Sequence, residues 1–398
     1  MKHRLLWILL ALSVLWVSLT GHPQATWMEW YGHEDDVHVG GVLDMGDEYW
    51  LYGTSFAAAD PGDSGIVLFR VQTDGRLIAP VAYDWEGVQS AADGMVDGEG
   101  NIHLAGGTTA YGSGGSDMYV LKLDSYGQTL AEWTYGSQLD ESAVRIFAGE
   151  SGDPYIVGNQ TNPEDPIADA DTPGYGGFDA RSGPIVARIE PNGASVWTRD
   201  FRTTANEVVV DAAPASNGDC YLLVTDYGFP NAEDVLRLYR VADHGGMSWS
   251  RTFAAAESRG ESILTLPSGW MVLAGSQRSE AGGDLEGWLM LLMGAGREIW
   301  SCTYGDPEAP TTFQALTGTA RGHVVAAGIR QDAGVDGDEI YLVCVDFDGE
   351  LLWERTIDTG RSITVEGLLE LRDGGFLIAG TGLSDEGIDQ AMLVRVDP

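Results

Sequence analysis

The chain closes with DGGFLIAGTGLSDEGIDQAMLVRVDP, residues 373–398, and this stretch decides the fold. It reads as a Gly turn, an apolar strand ending at Gly380, an acidic loop and a second apolar strand over Met392–Val396. The first of these strands recurs throughout the chain. Its copies end at or near Gly53, Gly106, Gly158, Val224, Gly275, Gly328 and Gly380, spaced by 51–53 residues except for one interval of 66. A second marker, Trp-x3-aromatic, keeps the same spacing. It stands at Trp27/Tyr31, Trp197/Phe201, Trp249/Phe253 and Trp300/Tyr304, and as Trp353/Ile357. Ala79/Tyr83 and Ala131/Tyr135 lack the Trp, although Trp133 follows on the same strand face. Two independent markers agree even on the long third interval, which identifies an internal repeat.

Each period carries four strand-like runs, A to D. Strand A follows the aromatic motif (ESAVRIFAG, 141–149), and strand B is the Gly-ending run. Strand C alternates (MYVLKLD, 118–124), and strand D carries the Trp and the aromatic. Gly turns separate short strands and no helical period intervenes, so the class is all-β. An antiparallel four-stranded unit of about 50 residues is a propeller blade. The last repeat stops after strand C, whereas TWMEWYG, 26–32, is a strand D with no blade before it. The expectation is a seven-bladed β-propeller, one domain over 26–398. Pairing of the N-terminal strand (about 26–32) with the C-terminal strand (about 390–397) closes it and hides two sheet edges. The paired aromatics should pack between blades.

With 44% hydrophobic residues and 54 Gly among 398, the composition excludes a disordered or collagen-like chain. Sixty acids against 22 basic residues give a formal charge of −38, which excludes nucleic acid as a partner and disfavours an anionic membrane surface. Lys2 to Arg4 and the apolar run Leu5–Leu19 have the order of a secretory signal peptide over 1–25, with an uncleaved anchor as the alternative. The run is short for a bilayer span, and no later segment is long and apolar enough to be one. The expected location is secreted or extracytoplasmic, in the periplasm or at the cell surface. Cys220, Cys302 and Cys344 sit in strand-like runs and read as small buried hydrophobes, a Cys302–Cys344 bridge being the one pairing considered.

The units read approximately W-x-x-x-YG, then DGGY followed by an apolar strand ending AG-x-T, then D before strand C and D-x-x-G after it. DGGFLIAGTG, HLAGGTTAYGSGGSDMYVLKLDSYG and EWTYG carry this pattern. It resembles that of bacterial secreted β-propeller repeat proteins over essentially the whole mature chain, and the blade layout is similar to kelch repeats. The resemblance implies a fold and an extracytoplasmic setting, but no particular activity.

Candidate chemistry gathers in the loops joining strands B and C, which share one face with the D–A loops. The third repeat carries an insertion over 159–184 whose Asp165, Asp169, Asp171 and Asp179 lie near Tyr175 and Phe178, a candidate binding element. DAGVDGDE, 332–339, places Asp332, Asp336 and Asp338 among glycines, and calcium is the ion such a loop would take. The alternative for all these acids is turn chemistry, an Asp capping its own backbone. Asp36, Glu141, Glu207 and Glu261, near the starts of A strands, would form a partial ring at the channel mouth. NQT, 159–161, matches a glycosylation sequon. No G-x-S-x-G, H-E-x-x-H or P-loop occurs, and no cofactor is expected.

These features favour an exported, non-enzymatic, monomeric module that binds protein or glycan through its acidic loop face. The alternatives are an extracellular hydrolase or lyase using carboxylates, and a surface protein adapted to high salt with no small ligand.

Overall fold

The structure is a computed structural model that describes residues 25–32, 35–57, 63–83, 87–166, 180–227, 235–253, 258–278, 284–332, 334–335 and 337–398. The described residues form seven antiparallel four-stranded sheets, with one short 3-10 turn at Ser216–Gly218 and no α-helix. The seven blades expected from the repeat are present. The A strands are Asp36–Asp44, Asp93–Val96, Asp140–Ala148, Asn206–Pro214, Arg259–Thr265, Thr311–Gly318 and Ile363–Glu370, in blades 1 to 7. Each A strand touches those of the two neighbouring blades, and the last touches the first, so the seven encircle one axis.

Ring closure follows the expected pairing. The strand Ala25–Tyr31 lies antiparallel to Asp389–Val396, with Trp27 opposite Arg395 and Tyr31 opposite Ala391. The closing blade therefore takes its outermost strand from one end of the chain and its three inner strands from the other.

The repeated residues are explained by what they touch in the next blade. The strand D tyrosines donate to glycine carbonyls in the following C–D turn: Tyr31 to Gly75 at 2.8 Å, Tyr83 to Gly127 at 2.6 Å, Tyr135 to Gly193 at 2.7 Å and Tyr304 to Gly349 at 2.7 Å. The Trp indoles reach the same turns, Trp197 donating to the Asp243 carbonyl at 2.8 Å and Trp300 to that of Phe347 at 2.9 Å. The turn glycine is required twice over. At Gly193 φ is +86°, and a Cβ would stand 2.1 Å from Trp133. Trp133 thus covers the turn that a Trp at position 131 would otherwise cover. Between the blades lie seven apolar clusters, one per interface.

All three cysteines are free thiols, Cys220 and Cys344 buried. Burial pushes the Cys344 thiol up to about 11, as suits an inert core residue.

Candidate functional site: the central channel

Most acids singled out from the sequence have structural partners. Asp oxygens accept backbone N–H groups two residues on at Asp44, Asp74, Asp97, Asp124, Asp346 and Asp373, the turn chemistry weighed above. Asp332 does the same, accepting from Gly334 N at 2.9 Å. Asp338 is buried. Its carboxylate accepts from Gln331 Nε2 at 3.1 Å, Ser362 Oγ at 3.1 Å and Ile363 N at 3.0 Å, clasping blade 6 to blade 7. Asp336 lies outside the described residues. Among the described residues no group of three or more His, Cys, Asp or Glu is placed to hold a metal ion.

In the insertion, Asp165 ends a long strand, Pro154–Pro166, and stands 3.9 Å from Arg181. Asp169, Asp171, Tyr175, Phe178 and Asp179 lie outside the described residues. Asn159 of the sequon serves the fold: its side chain accepts from Val209 N at 2.8 Å and donates to Val209 O at 3.2 Å, joining blades 3 and 4.

The expected ring of A-strand acids comes apart in the same way. Asp36 accepts from Asp389 N at 2.9 Å across the closure. Glu141 is fully buried, taking hydrogen bonds from Ser137 and from Gln160 Nε2 at 2.6 Å. Glu207 is fully buried against Tyr239, with Thr203 Oγ1 at 2.9 Å. Of the four, only Glu261 occupies a β-bulge of its A strand.

A feature missed in the sequence defines the channel wall. The A strands of blades 1, 3, 4, 5, 6 and 7 each contain a β-bulge, which leaves one residue without a partner on strand B. Those residues are Gly40, Val144, Val210, Glu261, Gln314 and Glu366. Blade 2 has Ala92 at the matching position. A bulge re-aims its side chain. Four consecutive blades therefore offer small or apolar groups; of the three that follow, blades 5 and 7 offer Glu261 and Glu366, while Gln314 in blade 6 accepts from Val365 N of blade 7 at 3.1 Å. Aligning the A strands column by column would have revealed this arc.

The residue after the bulge adds a second layer. Arg145 in blade 3 is bound by Asp211 in blade 4 and stands 3.8 Å from Asp93 in blade 2. Both acids also secure the fold, Asp93 accepting from Ile146 N and Asp211 from Ile263 N, each at 2.8 Å. Burial opposes the Arg145 charge, but Asp211 and Asp93 more than offset it, so the guanidinium stays ionised. Burial raises the Asp93 carboxyl despite Arg145.

The arc shares this field. Glu366 in blade 7 senses Arg145 in blade 3, and Glu261 in blade 5 senses Glu366. Neither pair sits on adjacent blades, so these charges meet across the axis. Glu366 is exposed to water, and desolvation by the surrounding protein raises its carboxyl. Desolvation pushes the half-buried Glu261 up to about 7; Arg259 eases the shift and the like charge of Glu366 adds to it. Such an arc can accept hydrogen bonds and stabilise positive charge, while the opposite wall can only pack.

No family model matches this chain, and no curated protein matches it. Solved structures do. A protein of unknown function from Dyadobacter fermentans is 11% identical, with 94% of this chain and 98% of that one covered and a TM-score of 0.52. A puromycin hydrolase is 16% identical, with 94% of this chain but 55% of that one covered and a TM-score of 0.54. At such identities the likeness shows the fold alone. The chain is a seven-bladed β-propeller of four-stranded antiparallel blades.

Proposed function

We propose that the protein is an exported binding module that takes a protein or glycan partner on its acidic loop face, with the channel arc as polar anchor. The observation that carries this reading is the placement of Glu261 and Glu366 on the bulges of blades 5 and 7. Many other acids among the described residues serve turns and blade-to-blade clasps. Carboxylates suit sugar hydroxyls or a basic side chain, and the apolar wall opposite suits a sugar ring face or an alkyl stem. The test is binding of the chain to glycan and basic-peptide arrays at fixed ionic strength, with Glu261→Gln/Glu366→Gln as comparison. At least tenfold weaker binding by the double variant is expected. Equal binding by both forms refutes the channel as anchor.

A second reading, a carboxylate-based hydrolase or lyase, is favoured by Glu261, whose carboxyl near 7 suits a general acid. Hydrolysis of chromogenic glycosides that disappears in Glu261→Gln would establish it in place of the first.

A further inference from the structure

On the loop face, two buried carboxylates meet where blade 2 abuts blade 3. Asp117 opens strand C of blade 2 (Asp117–Leu123), and Glu141 lies near the start of strand A of blade 3. Asp117 is 2% exposed and Glu141 0%. The backbone brings the two segments together, Glu141 N donating to Ser116 O at 2.8 Å. A Cβ on the exposed Gly136 would stand 2.1 Å from Asp117 Oδ1 and 2.6 Å from Glu141 Oε2. A Cβ on Gly112 would stand 2.0 Å from Asp117 Oδ2. A glycine on each of two loops thus makes room for one pair of acids, where any other residue would push a carboxylate aside.

The hydrogen bonds around the pair leave one oxygen over. Asp117 Oδ2 accepts from Ser113 N at 2.8 Å. Glu141 Oε1 accepts from Ser137 Oγ and Gln160 Nε2, each at 2.6 Å, and Oε2 from Ser137 N at 3.1 Å. Asp117 Oδ1, turned toward Gly136 and Glu141 Oε2, accepts no hydrogen bond among the described residues, yet it is not sealed from water. Blade 4 meets the same need with a cation. There Glu207 holds the place of Glu141 and the buried Asp226 that of Gln160, and Arg237 stands 2.5 Å from Asp226 and 3.7 Å from Glu207. In blade 3 the place of Arg237 is held by Ile185, and the second acid comes from blade 2. Among the described residues neither Asp117 nor Glu141 forms an ion pair. Like charges this close and out of water repel unless a proton or a cation lies between them.

We propose that Asp117 and Glu141 bind one calcium ion beside Gly136, with water completing its shell. The donors are all oxygens, which select a hard cation. Asp117 Oδ1 and Glu141 Oε2 converge closely enough for one ion at calcium–oxygen distances of about 2.3–2.6 Å to touch both. Magnesium, held at about 2.0–2.1 Å in a strict octahedron that keeps several waters, suits two acids buried in a corner poorly. Asp140 is engaged elsewhere, its Oδ1 accepting from Ser116 N at 3.2 Å, so the ion rests on two carboxylates. It does in blades 2 and 3 what Arg237 does within blade 4, and it ties the B–C loop of one blade to the strand A of the next.

The test is calorimetric titration of the chelator-treated full chain with calcium chloride at neutral pH, against magnesium chloride and potassium chloride at equal ionic strength. Saturable binding of calcium and a melting temperature raised by a few degrees are expected. Asp117→Asn keeps an acceptor for Ser113 N and should bind calcium at least tenfold more weakly with an unchanged circular dichroism spectrum. Gly136→Ala, at a backbone angle open to any residue, should weaken binding as much by parting the two oxygens. Asp332→Asn, in the loop whose acid only caps a turn, should bind as the wild type does. No saturable heat from the wild type, as a shared proton in place of the ion would give, overturns the proposal. So do magnesium or potassium binding as tightly as calcium, unchanged affinity in both Asp117→Asn and Gly136→Ala, or a loss confined to Asp332→Asn.

Discussion

Replacing Glu261 by Gln should make the protein more stable at pH 8 and leave it unchanged at pH 4. The carboxyl sits ordinarily at 4.5 and is pushed up to about 7 in the folded channel. Below pH 4.5 it is neutral in both folded and unfolded chains, so the neutral amide makes no difference. Between 4.5 and 7 the unfolded chain releases this proton while the folded chain keeps it. The folded state then binds more protons, and stability falls as pH rises. Above 7 the full penalty applies. Each tenfold change in proton affinity is about 1.4 kcal/mol, which sets an upper bound of about 3 kcal/mol; the partial wetness of the group reduces it. Thermal melts of both forms at pH 4, 6 and 8 measure the difference directly; the contribution from Asp93 cancels in the comparison, and the repulsion between Glu366 and Glu261 is part of the measured gap. A gap that opens between pH 4 and 8 by a few degrees is expected. A constant gap, or one that widens towards acid, would show that Glu261 is not desolvated in the channel.

Gly193→Ala and Gly100→Ala both place a side chain at positive φ, but only the first drives a Cβ to 2.1 Å from Trp133, the second meeting nothing within 4 Å. Denaturant melts should show a loss of about 1 kcal/mol at Gly100 and several times that at Gly193. Tyr135→Phe removes the bond to Gly193 O and should cost about 1 kcal/mol with the fold intact, since Phe201 and Phe253 hold this position in blades 3 and 4. Asp338→Ala leaves Ile363 N without its carboxylate and should cost about 2 kcal/mol by the same assay, whereas Asp332→Ala, which breaks only a turn, should cost well under half as much. Deleting residues 25–31 exposes the edge of Asp389–Val396, and light scattering should detect association that the intact chain does not show.

The architecture is legible because each blade repeats it: six Gly-ending strands with Val224 in the seventh place, and seven strand D positions of which six keep the second aromatic, leave little freedom, and the unpaired strand D at 26–32 matches the blade that lacks one. The site was less legible. Glu141 and Glu207 were read as rim charges because an acid near a strand start looks the same whether it faces water or, as here, a buried Gln or Tyr. A β-bulge has no signature in a period of two, so the sequence does not group Glu261 with Glu366. Arg145 carried no signal at all, since a lone Arg on a strand gains meaning only when Asp93 and Asp211 arrive from the blades on either side.

In a molecule built from one unit repeated seven times, the residues most informative about function are those that break the repeat without unmaking the blade. Where a position must bond its neighbour, the ring keeps it or substitutes an equivalent. Thr54, Asp93, Asn159, Asp211, Gln314 and Thr381 all accept a backbone N–H from the following blade, by different side chains. These departures are solutions to one mechanical problem. The carboxylates of Glu261 and Glu366 solve no such problem: at the same bulge, Val144 and Val210 serve blades 3 and 4 without a charge. A fold that retains a desolvated acid forgoes stability that its own other blades show to be within reach. The channel carboxylates are therefore where ligands should be sought first, ahead of the far more numerous acids of the turns.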